Sequence, residues 1–306
     1  MLLFKVKTQD AYTIKICVEL LQHNIKTGCF VVDNDGIRLC MFDHNRKVLI
    51  NLELERENFI MYKFKAATKM ILGINLKHFH QMLKSIKKKD SMVLFINSDE
   101  PTDLGIKVIP KENNRKTTSF IKIQNIQSLD IMIPTGYDGH VIVPSSEFQK
   151  ICKDFSSISP VIEIASDRNF YVNFSCAAKG IMNRVVEFGE YDDSDDEDDD
   201  DEKKKEFESY CHAFNTEQLN KITKISGLSS NMHVFVKKNL PLLIRAQIGQ
   251  LGKIAIYIKS ISQLEHESCE VDEDEDEEPE AAAVEVVVKP VVKAAKAVKA
   301  KKKKRA

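Results

Sequence analysis

The chain is 306 residues long and 43% hydrophobic, enough for a core and for one large domain or two of ordinary size. It holds no run of about 18 apolar residues, which excludes a helical membrane span, and MLLFKVKTQDAY turns polar too early for a secretory leader. The formal charge of -1 conceals a segregation: residues 190–208 carry 13 acidic and 3 basic side chains, the segment from 264 onward carries 12 and 9, and the remainder carries 21 and 33. At about +12, that remainder is a body that attracts a polyanion.

In chain order, four amphipathic stretches recur at intervals of about 65–70 residues. DAYTIKICVELLQH opens at Asp10, NLKHFHQMLKSI at Asn75, SSEFQKICKDFSSI at Ser145 and NTEQLNKITKISGL at Asn215. Each starts on a residue type suited to capping a helix. Apolar side chains follow at helical spacing: Ile14, Cys17, Val18 and Leu21; Leu76, Phe79, Leu83 and Ile86; Phe148, Ile151, Cys152 and Phe155; Leu219, Ile222 and Ile225. After each helix come paired strand-like runs around a turn, as in GCFVV-DNDG-IRLCMF and PVIEIA-SDRN-FYVNFS. Further strands are expected at KVLINLEL, NFIMYKFK, SFIKIQNI, IMNRVVEF and KIAIYIKS. The expected class is α+β: four helices and antiparallel sheets in four similar units, each sheet burying one face against helices. Residues 190–208 are too charged to pack and are expected to form a solvated loop. The segment 264–306, acidic and then Ala/Val/Lys-rich, is expected to be a disordered tail.

The polar faces of these helices are basic. Lys77, Lys84 and Lys88 fall on one stripe, Lys150 and Lys153 are three apart, as are Lys221 and Lys224, and Lys15 sits on the first helix. After the first turns the only carboxylates in these stretches are Glu19 and Asp154. A solvated helix face ordinarily mixes both signs, so this shortage points to phosphate contact, which is independent of base sequence. Phe79, Phe148 and Phe155 lie on the apolar stripes, away from the lysines, which disfavours base stacking on single strands.

Signals of catalysis or metal binding do not emerge. The seven cysteines (17, 29, 40, 152, 176, 211 and 269) are scattered without a CxxC pair, a pattern of a reducing compartment and not of a disulfide framework or zinc site. Cys152 and Cys176 stand among apolar residues and are expected in the core. His78 and His80 are two apart, so on a helix they point to different faces. No Gly-rich phosphate loop, GxSxG or paired catalytic carboxylate motif occurs. No enzyme activity and no cofactor are expected.

Several segments together resemble the proliferating cell nuclear antigen family of ring-shaped DNA sliding clamps: CFVVDNDGIRLCMFD, ENFIMYKF with LGINLKHFHQMLK, IMIP, VPSSEFQKICKDFSSI and LPLLIRAQIGQLGKIAIYIKS. The likeness covers about residues 1–263. It implies an N-terminal clamp domain over 1–123, an interdomain connector over 124–137 and a C-terminal clamp domain over 138–263 that carries the acidic loop 190–208. It also implies a homotrimeric ring with its helices lining the hole and double-stranded DNA threaded through it. Lys15, Lys84, Lys153 and Lys224 are similar to basic hole-lining positions of the family. Lys77, Lys88, Lys150 and Lys221 join them by helix periodicity alone.

The resemblance further implies a clamp loader and partners, DNA polymerase among them, that insert a peptide motif with one aliphatic and two aromatic anchors under the connector. The matching pocket positions are Phe42, Leu49, Ile131, Ile133, Pro241 and Tyr257, with Arg46, Lys47, Lys259 and Ser260 at the rim and C-terminal stretch. Phe42 and Arg46 stand where the family usually has Met and His, and Lys259-Ser260 where it usually has Ala-Pro, so partner preference is open. Read without the family, Phe42, Ile131 and Tyr257 are plain core residues. Ring closure would pair the edge segments 118–125 and 181–188. The expected setting is the nucleus or a viral replication compartment. The alternatives are a clamp-like factor acting as a monomer or heterotrimer, and a DNA-compacting protein that works through its Lys/Ala/Val tail.

Overall fold

The computed structural model describes residues 2–112, 115–167, 170–178, 180–189 and 209–273. The first half runs β1 (Leu2–Thr8), α1 (Ala11–Asn24), β2 (Thr27–Val32), β3 (Gly36–Phe42), β4 (Val48–Glu55), β5 (Met61–Phe64), β6 (Met70–Asn75), α2 (Leu76–Leu83), β7 (Ser91–Asn97), β8 (Asp103–Ile109) and β9 (Thr117–Lys122). The second runs β10 (Val141–Pro144), α3 (Ser145–Ser156), β11 (Val161–Ser166), β12 (Tyr171–Ala178), β13 (Met182–Gly189), β14 (Tyr210–Asn215), α4 (Thr216–Ile222), β15 (Asn231–Phe235), β16 (Leu242–Ile248), β17 (Gly252–Ile258) and α5 (Ile261–Glu273). With β5 set aside, the order is strand–helix–strand–strand–strand four times over. The opening strand of each unit (β1, β6, β10, β14) is absent from the sequence expectation. Three of them run straight into their helix with no turn residue between, so periodicity alone does not separate strand from helix.

Helix capping follows expectation in two of the four cases. Asn75 Oδ1 accepts the His78 amide at 3.1 Å, and Asn215 Oδ1 accepts that of Glu217 at 2.9 Å. Asp10 makes no side-chain cap, because its ψ of 44° leaves the extended region from which a cap reaches back. Ser145 lies inside α3, whose cap position is taken by Pro144.

Among the described residues all strand pairs are antiparallel, in three sheets: β5-β1-β7-β8-β9, β13-β12-β11-β14 and the eight-stranded β10-β15-β16-β17-β4-β3-β2-β6. The large sheet joins the halves through β17 and β4, in register from Gly252↔Leu54 to Ile258↔Val48. Its strands alternate strictly: Val48, Ile50, Leu52, Leu54, Ile254, Ile256 and Ile258 belong to the main core, whereas Leu49 and Tyr257 belong to a second cluster on the opposite face. Each such fully buried aliphatic side chain contributes about 1.5–3 kcal/mol. Cys152 and Cys176 are buried in the main core as expected, and burial pushes the Cys152 thiol up to about 12.

Helices α1 to α4 form one layer: α1 packs on α2, on α4 and on the 3-10 turn Thr223–Gly227 that continues α4, while α3 packs on α4 and that turn. Their apolar stripes (Leu76, Phe79 and Leu83; Phe148, Ile151, Cys152 and Phe155; Leu219 and Ile222) are all buried.

Two boundaries need correction. The second stretch stops being helical after Leu83, so Lys84 is its C-cap and Lys88 sits in the following turn, off the stripe assigned to it. The expected disordered tail begins instead with α5. Ser260 and Gln263 form a reciprocal capping box: the Ser260 amide donates to Gln263 Oε1 at 2.9 Å and the Gln263 amide to Ser260 Oγ at 3.2 Å. The acidic composition beyond it masks this short signal. The acidic loop 190–208 and the tail beyond 273 lie outside the described residues.

Candidate nucleic-acid interface and partner pocket

Tertiary partners divide the eight lysines. Lys15 Nζ donates to the carbonyls of Lys84 at 2.8 Å and Ile86 at 3.1 Å, so it caps the C-terminal end of α2, where unpaired carbonyls and the helix dipole favour a cation. Lys224 pairs with Glu19 at 2.7 Å across the junction of the halves. Burial pushes the Glu19 carboxyl up, but the hydrogen bond and charge of Lys224 outweigh it and hold the group below its usual range. Lys150 pairs with Glu147 at 2.7 Å and Lys221 with Glu217 at 2.9 Å, both on their own helix. Such exposed pairs are weak and screened by solvent, so a phosphate competes with them easily.

Lys77, Lys84, Lys88 and Lys153 are exposed and form no ion pair among the described residues. Asp154, the carboxylate beside Lys153 in sequence, is taken by Arg184 of β13 at 3.1 Å. The positive charge of the helix layer that no carboxylate offsets therefore rests on α2 with its C-terminal turn, on α3 and on Lys15, whose carbonyl partners are neutral. His80 lies within 2.9 Å of Gln22 through Nδ1, and burial, Lys84 and Lys15 lower its pKa, so it adds no charge at neutral pH. The described residues hold no group of three or more His, Cys, Asp or Glu arranged for a metal.

The structural role of Lys15 is directly testable. Lys15→Met keeps the apolar stem and leaves the Lys84 and Ile86 carbonyls without their donor. Urea unfolding should show a drop of about 1 kcal/mol, with faster amide exchange over residues 84–87. Unchanged exchange there would mean that water caps α2 equally well.

On the other side of the large sheet, five strands present one apolar row in register: Phe235↔Leu243, Leu243↔Tyr257, Tyr257↔Leu49 and Leu49↔Phe42. No segment of sequence contains it, because it is assembled at the seam between the halves. The connector, without helix or strand over 125–140, crosses this row. Ile131, Ile133 and Tyr137 pack onto it, and the Tyr137 hydroxyl donates to the Pro241 carbonyl at 2.6 Å. Burial foremost, then Tyr257 nearby, raises the Tyr137 pKa and keeps the phenol a donor.

Beside the connector the row opens into a hollow of about 350 Å³, bordered by Phe42, Lys47, Leu49, Met132, Pro134, Pro241, Tyr257 and Lys259 among others. Six of the ten expected positions thus border it: Phe42, Lys47, Leu49, Pro241, Tyr257 and Lys259. Ile131 and Ile133 pack from the connector onto the apolar row instead, and Met132 between them lines the hollow at 94% exposure. Arg46 does not belong to the lining. It occupies the β3–β4 turn in the left-handed region at φ 54°, with the flanking Lys47 and Val48 amides bound by Asp43 Oδ1. Ser260 is buried at 1% exposure, its hydroxyl committed to capping α5, so it is no rim residue. Asn239, Gln263, His266 and Glu267 also line the hollow, outside the expected set, since no motif in the sequence ties them to it.

Four strand–helix–strand–strand–strand units, with helices in one layer and antiparallel sheets behind, define the fold of a DNA clamp. Residues 3–131 match the family model described as the N-terminal domain of proliferating cell nuclear antigen, and residues 132–261 match that described as its C-terminal domain. The chain is 24% identical over 263 residues to the probable DNA polymerase sliding clamp 1 of Paramecium bursaria Chlorella virus 1, covering 85% of this chain and 97% of the relative. It is 23% identical over 258 residues to the proliferating cell nuclear antigen of Dictyostelium discoideum, covering 84% and 98%. The chain belongs to the proliferating cell nuclear antigen family. It is a sliding clamp, a processivity factor and not an enzyme.

Proposed function

We propose that three copies of this chain close into a ring around duplex DNA, and that the hollow beside the connector tethers DNA polymerase and other proteins bearing a short apolar–aromatic motif. A separate ATP-driven loader opens the ring, since a closed ring cannot thread circular DNA. The mechanism is topological: enclosure prevents dissociation, so contacts to phosphate can stay weak enough for sliding. The setting is the nucleus or a viral replication compartment, and the polybasic run 301–305, outside the described residues, reads as an import signal or a nonspecific DNA contact.

One observation carries the DNA-facing assignment. Lys77, Lys84 and Lys153 stand exposed and without ion pairs among the described residues, on a single layer of helices opposite to the sheets. Replacing all three with Ala should lower the log–log salt dependence of duplex binding by about 0.9 for each phosphate that is no longer neutralised. Polymerase stimulation on a primed circular template should fall with it, while the assembly stays intact on a sizing column. Unchanged salt dependence and stimulation would remove these lysines from the channel.

A further inference from the structure

We infer that the five-stranded sheet carries a docking face for the acidic segment 190–208 of a neighbouring copy of this chain, which straps adjacent subunits together. The inference rests on the reading of the protein as a ring. Strand alternation sends Phe4, Val6, Leu104 and Ile106 into the main core and Lys5, Lys7 and Lys107 to the opposite face. Register brings these lysines together: Lys7↔Val93 and Val93↔Lys107 form one row, and Lys63↔Lys5 and Lys5↔Phe95 the next. The five strands hold a single carboxylate, Asp103, and Lys122 takes it at 2.6 Å. Lys5, Lys7, Lys63 and Lys107 form no ion pair among the described residues. Lys5 and Lys63 stand directly opposite one another, a like-charge pair that costs a sheet stability and that an anion laid over the face relieves.

The occupant follows from charge and from where the chain leaves the structure. Residues 190–208, outside the described residues, carry 13 carboxylates and begin directly after β13, the edge that meets β9 of the next copy in the ring. If that contact is antiparallel, like every other described pair, Gly189 comes beside the Thr117 end of β9, next to the exposed Arg115 and Lys116. Lys107 then lies one strand further in, and Lys7 and Lys5 three strands in. A path from β13 across the neighbour's sheet to its β1, and back to β14 of its own copy, crosses 11 strand spacings, about 53 Å at roughly 4.8 Å each. The 21 residue steps from Gly189 to Tyr210 span up to about 70 Å, so the strap reaches without strain. Single exposed pairs of this kind contribute little, and the hold comes from many carboxylates over one lysine cluster.

The test mixes full-length chains with and without nitrogen-15 and treats the assembly with a carbodiimide, which joins carboxylates to lysine amines in contact. Peptides from 190–208 should be found joined to Lys107, Lys7 or Lys5, with half of the products of mixed isotope. A variant with Lys5→Gln, Lys7→Gln and Lys107→Gln should show about a threefold to tenfold higher dissociation constant for ring assembly by mass photometry at low salt. The difference should vanish in about 0.5 M salt, where charges act over only roughly 4 Å. A second variant, with Asp195, Asp196, Asp198 and Asp199 changed to Asn, should weaken assembly alike, and combining the two should add little. Products of single isotope only, or none, in an intact trimer would overturn the strap and leave the ring standing. Weaker duplex binding by the lysine variant with unchanged assembly would give the face to DNA and overturn the inference. A chain that stays monomeric at every concentration would overturn the homotrimeric ring itself, and the strap with it.

Discussion

Phe120→Asp is expected to convert the assembled protein into folded monomers. Phe120 is 50% exposed on β9, an edge of the five-stranded sheet, where it meets Phe95 edge-on at 5.9 Å. β13, an edge of the four-stranded sheet, exposes Met182 at 48% and Val185 at 47%, with Ile181 beside it at 90%. Two unpaired edges, one with an exposed Phe and the other with several exposed apolar side chains, invite pairing. Because the two edges differ, the contact is head-to-tail and closes into a ring only when its rotation permits. A carboxylate at such a contact removes the anchor and buries a charge, a cost of about 2–4 kcal/mol per interface, or about 30–1000-fold in each association constant.

Sedimentation or mass photometry reads the result directly, and Met182→Asp should act alike from the other side. A mixture of the two variants can restore only one native contact, so it should give heterodimers and no larger ring. A persistent trimer in either variant would place the interface elsewhere. If the unaltered chain is monomeric, a different subunit must complete the ring.

Gly252→Ala should destabilise the body strongly. Gly252 opposes Leu54 at the start of the seam between the halves. An added Cβ would fall on the Glu53 carbonyl oxygen and lie 2.9 Å from Leu54 Cα, and both are backbone that cannot rotate away. Relief requires β17 to separate from β4. Overpacking alone costs about 1–3 kcal/mol, and opening the ladder adds to it. Chemical denaturation should show a drop in stability of about 3 kcal/mol or more, with the two halves unfolding in separate transitions. The Tyr257↔Leu49 pair lies on the same two strands, so peptide affinity should fall too. A single transition with near-native stability would show that the seam yields more readily than its geometry suggests.

Individual elements show where local reasoning reaches and where it stops. The apolar stripes of α2, α3 and α4 are buried as their 3.6-residue spacing requires, since that signal needs only neighbours in sequence. Strands β9 and β13, expected as edges from the resemblance, lie at sheet edges. The lysines do not form one uniform cationic surface. Lys15 serves carbonyls 69 and 71 residues away, and Lys224 serves Glu19 on a different helix, partners that no window of sequence contains. The S-x-x-Q signal at Ser260 is present in the chain but stands directly before the acidic run, whose composition points to disorder.

The residues alone determined the fourfold pattern and the basic body, because periodicity and net charge survive any arrangement of distant parts, and the clamp class was implied by the resemblance that several motifs in order carry. Only the folded chain decided which lysines keep a free charge and which residues border the hollow. Both depend on strand register across the seam of the two halves, where Phe42, Leu49, Phe235, Leu243 and Tyr257 become neighbours through hydrogen bonds between distant segments.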